Sequence, residues 1–226
     1  MQNYKWNGVA TTLKHLQHLG VGKVNLLIIL ISNFLLTTSC NKSDIYKEIE
    51  CLDPNCELII QPYDNFPVIK AQKLSEELKE NIQEQLGISI TSIQILPNKK
   101  LTQDLLNDSK TRYSANKIVN SQNKLTSFHK VVIGLTDKDI STNLRGKPDW
   151  GIQGLATVGG NSCIISTYRL NKNVELWKPV IHEFIHAFWN MHHCKDDNPT
   201  CIMQDGHGKP NWNKKNSLCE TCKKYF

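Results

Sequence analysis

The run His-Glu-Phe-Ile-His at residues 182–186 constrains this chain more than any other part of its sequence. In a helix, residues four apart lie one above the other on the same face, so His182 and His186 can direct two imidazoles at one ion. Glu183 lies one step around the helix and can reach a water molecule bound to that ion. Two histidine ligands and a general base on one helix are typical of a zinc site that activates water.

A cysteine-rich segment follows this motif and makes the combined pattern much more specific. Its elements are His-His-Cys at 192–194, Cys-Ile-Met at 201–203 and Cys-Glu-Thr-Cys at 219–222. In this order the chain resembles the archaemetzincin family of zinc metallopeptidases, whose pattern is HExxH, a glycine, a third histidine followed directly by cysteine, then CxM and CxxC. Further similarity lies at 135–140, 149–151 and 164–170. The resemblance covers about residues 57–226 and is strongest after residue 130.

The resemblance implies both a fold and an activity. The expected fold is α+β, with an α/β-type mixed sheet, a backing helix and a zinc-site helix as in metzincins, plus a Cys-rich C-terminal zinc-bound segment. The expected activity is hydrolysis of peptide bonds in a peptide or protein substrate, with Glu183 as the general base that deprotonates zinc-bound water. By analogy with the family, the substrate would pair in extended form with an edge strand, for which residues 151–158 are the best candidate.

The third histidine ligand departs from the family's spacing. The family has a glycine three residues after the second histidine, where this chain has Trp189, and His192 keeps the expected spacing. A sharp turn through positive φ suits Asn190 better than Trp189, because asparagine tolerates the left-handed region. Counting from Asn190, the ligand is His193, which Cys194 follows directly. We therefore interpret the spacing as a one-residue insertion and favour His193 over His192.

The remaining family positions imply a second metal site. Cys194, Cys201, Cys219 and Cys222 would hold a structural zinc ion, which gives two zinc ions per chain. In an oxidising compartment the same four cysteines could instead form two disulfides and leave one zinc ion. Met203 would occupy the tight turn that forms an apolar floor beneath the zinc ligands in metzincins, although a buried methionine can also serve only to fill a core.

The first 39 residues have the features of an export signal. Three lysines and no acidic residue precede or border an apolar run at 26–36, and small residues then lead to Cys40. The run is shorter than the roughly 20 residues of a membrane-spanning helix. We interpret residues 1–39 as a lipoprotein-type signal, Cys40 as the lipidated residue and 40–56 as a tether to a metallopeptidase domain at 57–226. An uncleaved membrane anchor is the alternative, and both place the domain outside the cytoplasm, in the periplasm or on the cell surface.

The net charge gives no reason to expect a nucleic-acid partner. Removing residues 1–39 lowers the formal charge from +6 to +3, because three lysines and no acid are lost.

Two other cysteines, Cys51 and Cys56, flank a turn sequence and could form a local disulfide, whereas Cys163 lies in an apolar run and is expected to be a buried thiol.

The expected elements follow the spacing of apolar residues. They are a strand at 57–62, an amphipathic helix at 71–86 ended by Gly87, a strand at 88–96, a weaker helix at 112–125, a strand at 130–135, a hairpin of 151–158 with 163–167, and the zinc helix at 174–189.

A rival function is a non-catalytic, zinc-scaffolded binding lipoprotein, which the missing glycine and the shifted spacing would suit.

Overall fold

The computed structural model describes residues 55–144, 146–206 and 211–226. All of the described residues belong to one compact unit, which spans 52–226. The predicted signal, Cys40 and most of the tether therefore lie outside the described residues. In the described part of the chain, no helix combines the length and apolarity needed to cross a membrane.

A five-stranded mixed sheet forms the centre of the described domain. Its order is β2 (Ser89–Ile95), β1 (Asn55–Pro62), β4 (Lys130–Thr136), β8 (Ser162–Ser166) and β7 (Gly154–Thr157). The first four strands are parallel, and β7 is antiparallel to β8. All but the first residue of β4 are buried, as expected for a parallel strand covered on both faces.

A second, three-stranded sheet lies before the hairpin of β7 and β8 in the sequence. It pairs β3 (Tyr113–Ser114), β5 (Ile140–Leu144) and β6 (Lys147–Ile152), with β5 and β6 antiparallel. Residues 147–152 therefore pair with β5 and not with β8. The predicted edge strand at 151–158 was too long for this reason, and only Gly154–Thr157 forms the edge of the main sheet.

Three helices cover the main sheet, namely α1 (Val68–Leu86), α2 (Ala115–Gln122) and α3 (Trp177–Trp189). Helices α1 and α3 contact each other and the sheet. Helix α2 packs in a core cluster with Ile164 of β8. The neighbouring Cys163 faces α3, because burial and then the charge of Glu183 of α3 raise the pKa of its thiol. Since successive strand residues point to opposite faces, α2 and α3 cover opposite faces of the sheet.

The helix boundaries match the predicted elements with small shifts. Helix α1 runs from Val68 to Leu86, and the next residue, Gly87, has a φ of 69° and forms the predicted left-handed cap. The zinc helix begins at Trp177, three residues later than predicted, and a short helix α4 (Glu220–Lys223) lies near the C-terminus. The α+β fold with a mixed sheet, and a cysteine cluster after α3, are confirmed.

Candidate active site

Helix α3 places the two predicted histidine ligands side by side on its cleft face. The ring centroids of His182 and His186 are 4.7 Å apart, and their Nε2 atoms are 3.3 Å apart. Both side chains are almost fully buried. Two nitrogens that each lie about 2.0–2.1 Å from a tetrahedral zinc ion are separated by roughly 3.3 Å, so the spacing suits such an ion.

Backbone carbonyls orient both imidazoles. His182 Nδ1 lies 2.8 Å from the carbonyl oxygen of Ile202, and His186 Nδ1 lies 2.5 Å from that of Met191. A carbonyl oxygen can only accept, so each Nδ1 carries the proton and each Nε2 keeps a lone pair for a metal. Burial lowers the pKa of His182 well below its usual value and that of His186 to about 4. Both rings are therefore in the neutral form that binds metals.

The third histidine of the cluster is His193. Helix α3 ends at Asn190, which has φ 54° and ψ 21° and so makes the left-handed turn that the sequence predicted there. The centroid of the His193 ring lies 5.2 Å from that of His182 and 4.7 Å from that of His186. One ring nitrogen from each of the three histidines lies within 4.8 Å of the other two. His192 lines the cleft without joining this group in the described part of the chain.

The turn between β7 and β8 caps the C-terminal end of α3. The backbone N–H of Gly159 donates to the carbonyl of His186 over 3.0 Å, and that of Asn161 donates to Ala187 over 3.1 Å. These carbonyls belong to the last turn of the helix, where no N–H group further along the helix is available to bond them. The side chain of Asn190 also approaches Gly159, so the hairpin and the turn that leads to His193 are held together.

Glu183 lies against the edge strand of the main sheet. A Cβ atom built on Gly154 would come within 2.7 Å of Glu183 Oε1, so the carboxyl group occupies the space that a side chain would need. Burial raises the pKa of Glu183 to about 8. Gly154 was not among the predicted site residues, and its only sequence signal is a glycine within a strand, which often marks the close approach of another group.

An open cleft of about 850 Å³ runs between the edge strand and α3. Its floor carries Glu183 and the three histidines, and residues 204–206 with Trp212 form its C-terminal wall. The indole Nε1 of Trp212 donates to Gln153 Oε1 over 2.8 Å, which links this wall to the bend between β6 and β7. On the opposite side the β5–β6 hairpin contributes Leu144, Lys147 and Trp150.

The three upstream segments of similarity meet in one ionic network. Arg169 donates to both carboxylate oxygens of Asp139 over 2.6 and 2.7 Å, and Arg112 donates to Asp139 over 2.8 Å. Arg112 also pairs with Asp149 at 3.2 Å. The guanidinium of Arg169 lies against the backbone of Gly151, where it leaves no room for a Cβ atom. This network fixes β6 beside the cleft.

The four C-terminal cysteines form a second cluster. Their Sγ atoms all lie within 4.8 Å of one another, with Cys194 and Cys219 3.5 Å apart and Cys201 and Cys222 3.7 Å apart. A disulfide would place two sulfurs about 2.05 Å apart, whereas four thiolates around one zinc ion lie roughly 3.8 Å apart. All four thiols are free. The spacing fits one tetrahedral ion and does not fit the two disulfides considered from the sequence.

Met203 lies in the turn that follows Cys201 of the cysteine cluster. It is fully buried in a turn closed by the backbone N–H of Gln204, which donates to Cys201 over 3.1 Å. Its carbonyl accepts from the N–H of Cys194 over 2.8 Å. The turn therefore touches the cysteine cluster directly. Cys163 is a buried free thiol, as predicted, and Cys56 is also buried. Cys51 lies outside the described residues, so its local disulfide with Cys56 stays a prediction.

Comparison with known proteins finds similarity to archaemetzincins in sequence and in fold. No protein-family profile matches the chain. An archaemetzincin of Haloquadratum walsbyi is 26% identical over 132 residues, which cover 52% of this chain and 72% of that protein. The archaemetzincin of Methanopyrus kandleri superposes with a TM-score of 0.61 at 20% identity and covers 76% of this chain and 93% of that one.

Two further solved structures have the same fold. The archaemetzincin of Archaeoglobus fulgidus, complexed with malonate, gives a TM-score of 0.58 at 22% identity, with 75% of this chain and 99% of that one covered. A zinc-dependent peptidase of Methanocorpusculum labreanum gives 0.56 at 19% identity, with 74% and 98% covered. The sequence relative and the shared fold confirm the resemblance inferred from the motifs.

Proposed function

Since this chain is similar to archaemetzincins in sequence and fold, we propose that it belongs to that family and is a zinc metallopeptidase that hydrolyses peptide bonds. The observation that carries the proposal is the convergence of three imidazoles beside the half-buried carboxyl group of Glu183, next to the edge strand. His182 and His186 direct their Nε2 atoms at one point, and His193 completes the group. Glu183 lines the same cleft and lies against Gly154 of β7.

The residues present fit a catalytic zinc ion. The two Nδ1 atoms of α3 are held by carbonyl oxygens, so the metal-binding nitrogens are preset in orientation and tautomer. His182, His186 and His193, which line the cleft, would hold the ion. When bound there, zinc would polarise the scissile carbonyl and lower the pKa of a water molecule.

The protein's own groups then bind the substrate and move the proton. Strand β7 ends the main sheet, so its outer edge can pair with a peptide in extended form. Pairing would place the substrate backbone over α3, where the carboxylate of Glu183 takes a proton from the attacking water. The same carboxyl can then give the proton to the leaving amine.

We also propose a structural zinc ion in the cysteine cluster. Cys194, Cys201, Cys219 and Cys222 have the spacing of a closed four-thiolate site. This site would fix the segment that follows His193 and thereby the third histidine itself. The whole protein would then carry two zinc ions.

The proposed function is tested by comparing Glu183→Gln with the wild type. We expect the variant to bind zinc normally and to lose hydrolysis of a broad peptide library, because the ligands remain while the base is removed. Glu84→Gln, at an exposed position of α1, is the matched control and should retain full activity. Equal cleavage by Glu183→Gln and the wild type would exclude the assigned role of Glu183. A wild type that binds zinc but cleaves no peptide would favour the non-catalytic binding lipoprotein.

A further inference from the structure

Lys215 is a buried lysine in the polar segment between the cleft wall and the last cysteines. It is only 2% exposed, and its Nζ lies 5.0 Å from the centre of the Trp212 ring. An ammonium group removed from water needs hydrogen-bond acceptors for its three donors. The segment has no periodicity that would mark this residue, and its neighbour Lys214 is exposed.

Lys215 finds its acceptors in one turn. Its Nζ donates to the carbonyl oxygens of Cys201 over 3.3 Å and Ile202 over 3.2 Å, and to that of Gln204. The remaining carbonyl of the turn, that of Met203, accepts from Cys194. The three donors of the ammonium are thus matched to three carbonyls of a four-residue turn, and this turn has no unpaired carbonyl.

The same turn reaches the histidine cluster through Ile202. The carbonyl oxygen of Ile202 accepts from His182 Nδ1 as well as from Lys215 Nζ. This carbonyl fixes the direction of the His182 ring and keeps the lone pair on Nε2. Any displacement of the turn would therefore move or rotate a ring in the histidine cluster.

We propose that Lys215 is a positioning residue for His182, which it orients through the carbonyl of Ile202. This inference rests on the proposed function, because His182 is taken as a zinc ligand. Lys215 is not among the described residues that line the cleft, so its effect is exerted on the geometry and tautomer of the ligand. Outer partners of metal-binding histidines typically change metal affinity by about 10- to 100-fold.

The test measures the two metal sites separately in Lys215→Met, Lys215→Arg and the control Lys214→Met. A thiol-blocking reagent releases the cysteine-held zinc for counting, and competition with a chelator reports the affinity of the histidine site. We expect about 10-fold or greater loss at the histidine site in Lys215→Met, a smaller loss in Lys215→Arg, and none in Lys214→Met. The cysteine-held ion should remain in all three.

Wild-type affinity at the histidine site in both Lys215 variants would overturn the inference, as would parallel loss of both ions. If Lys215→Met does not fold, Lys215→Arg decides on the same criteria, because it keeps the buried charge but presents a planar guanidinium. Nitrogen NMR of His182 in the metal-free proteins gives an independent measure, with the Nδ1-protonated form expected in the wild type and depleted in Lys215→Met. These results do not depend on peptide cleavage, so failure of the proposed peptidase activity remains distinguishable.

Discussion

Gly154 of the edge strand lies directly against Glu183 of the zinc-site helix, so that a methyl group on residue 154 would overlap the carboxyl group. The position that a Cβ atom on residue 154 would occupy lies 2.7 Å from Glu183 Oε1. The contact joins the strand that would bind substrate to the group that would transfer the proton. It also explains why β7 carries its smallest residue at this point.

Gly154→Ala should therefore displace the Glu183 carboxyl and reduce catalysis without loss of metal. We expect kcat/KM to fall on the order of 100-fold, since small misplacements of a catalytic group have effects of this size. Zinc binding should stay at the wild-type level because no ligand is touched. In a Glu183→Gln background the same substitution should have little further effect. Full additivity of the two changes would show that residue 154 does not act through Glu183.

The two adjacent histidines should differ sharply in their effect on zinc. His193→Ala removes a member of the three-imidazole group and should weaken zinc binding by more than the roughly 10–100-fold typical of an outer partner. His192→Ala should have a smaller effect because His192 lies outside the group. Chelator competition on both variants measures the ranking. The reverse ranking would mean that the turn at Asn190 does not set the third ligand.

Cys219→Ser should release the ion held by the four cysteines and destabilise the C-terminal segment. Structural zinc contributes directly to folding, so a loss of a few kcal/mol would lower the melting temperature by about 10 °C in a domain of this size. Metal analysis and a thermal melt check both effects. Cys163→Ser, at a buried thiol outside the cluster, is the control for metal content and should leave the zinc count unchanged. An unchanged zinc count in Cys219→Ser would exclude a second metal site.

Asp149 should contribute to stability against acid. Hydrogen bonds from Ser141 and other neighbours hold the pKa of its carboxyl at about 2, below the usual 3.8. A lowered pKa means that the stabilisation is fully present above about pH 4 and is lost as the pH falls through 2. Asp149→Asn, which suits the φ of 57° equally well, should therefore be less stable at pH 5. Denaturant unfolding should show this difference shrinking towards pH 2, and a constant difference would contradict the assignment.

The N-terminal segment should carry a lipid on Cys40. The apolar run at 26–36 and the small residues before Cys40 motivate the proposal, and the segment lies outside the described residues. Expressed in a bacterium, the protein should incorporate labelled palmitate and fractionate with the cell envelope. Cys40→Ala should abolish the labelling. Unlabelled, uncleaved wild-type protein in the membrane fraction would instead indicate a simple helical anchor.

Several parts of the fold and site could be predicted because their signals are local. Apolar spacing of 3.6 residues placed α1, and the same period placed His182 and His186 on one face of α3. The turn at Asn190 followed from the conformational preference of asparagine, and it carries the chain to His193. Errors in the predicted helices were confined to their ends, where spacing alone does not define the first residue.

Other parts depend on which distant segments meet, and only the tertiary structure decided them. Residues 151 and 152 were predicted to begin the edge strand, but they belong to β6 and pair with β5 in the second sheet. The free thiols of the cysteine cluster became distinguishable from disulfides only through the distances between their sulfurs. Neither outcome has a local signal, because strand pairing and sulfur spacing depend on the packing of the whole domain.

The sequence by itself determined the reactive groups, namely two imidazoles and a carboxyl at helical spacing, a third histidine after a turn, and four cysteines. The tertiary structure decided how those groups are held. It placed Gly154 over Glu183, and it placed Lys215 in the turn whose carbonyl orients His182. A glycine and a lysine have no chemical signature at these positions. Their roles come from the space and the hydrogen-bond acceptors that remote segments provide once the chain is folded.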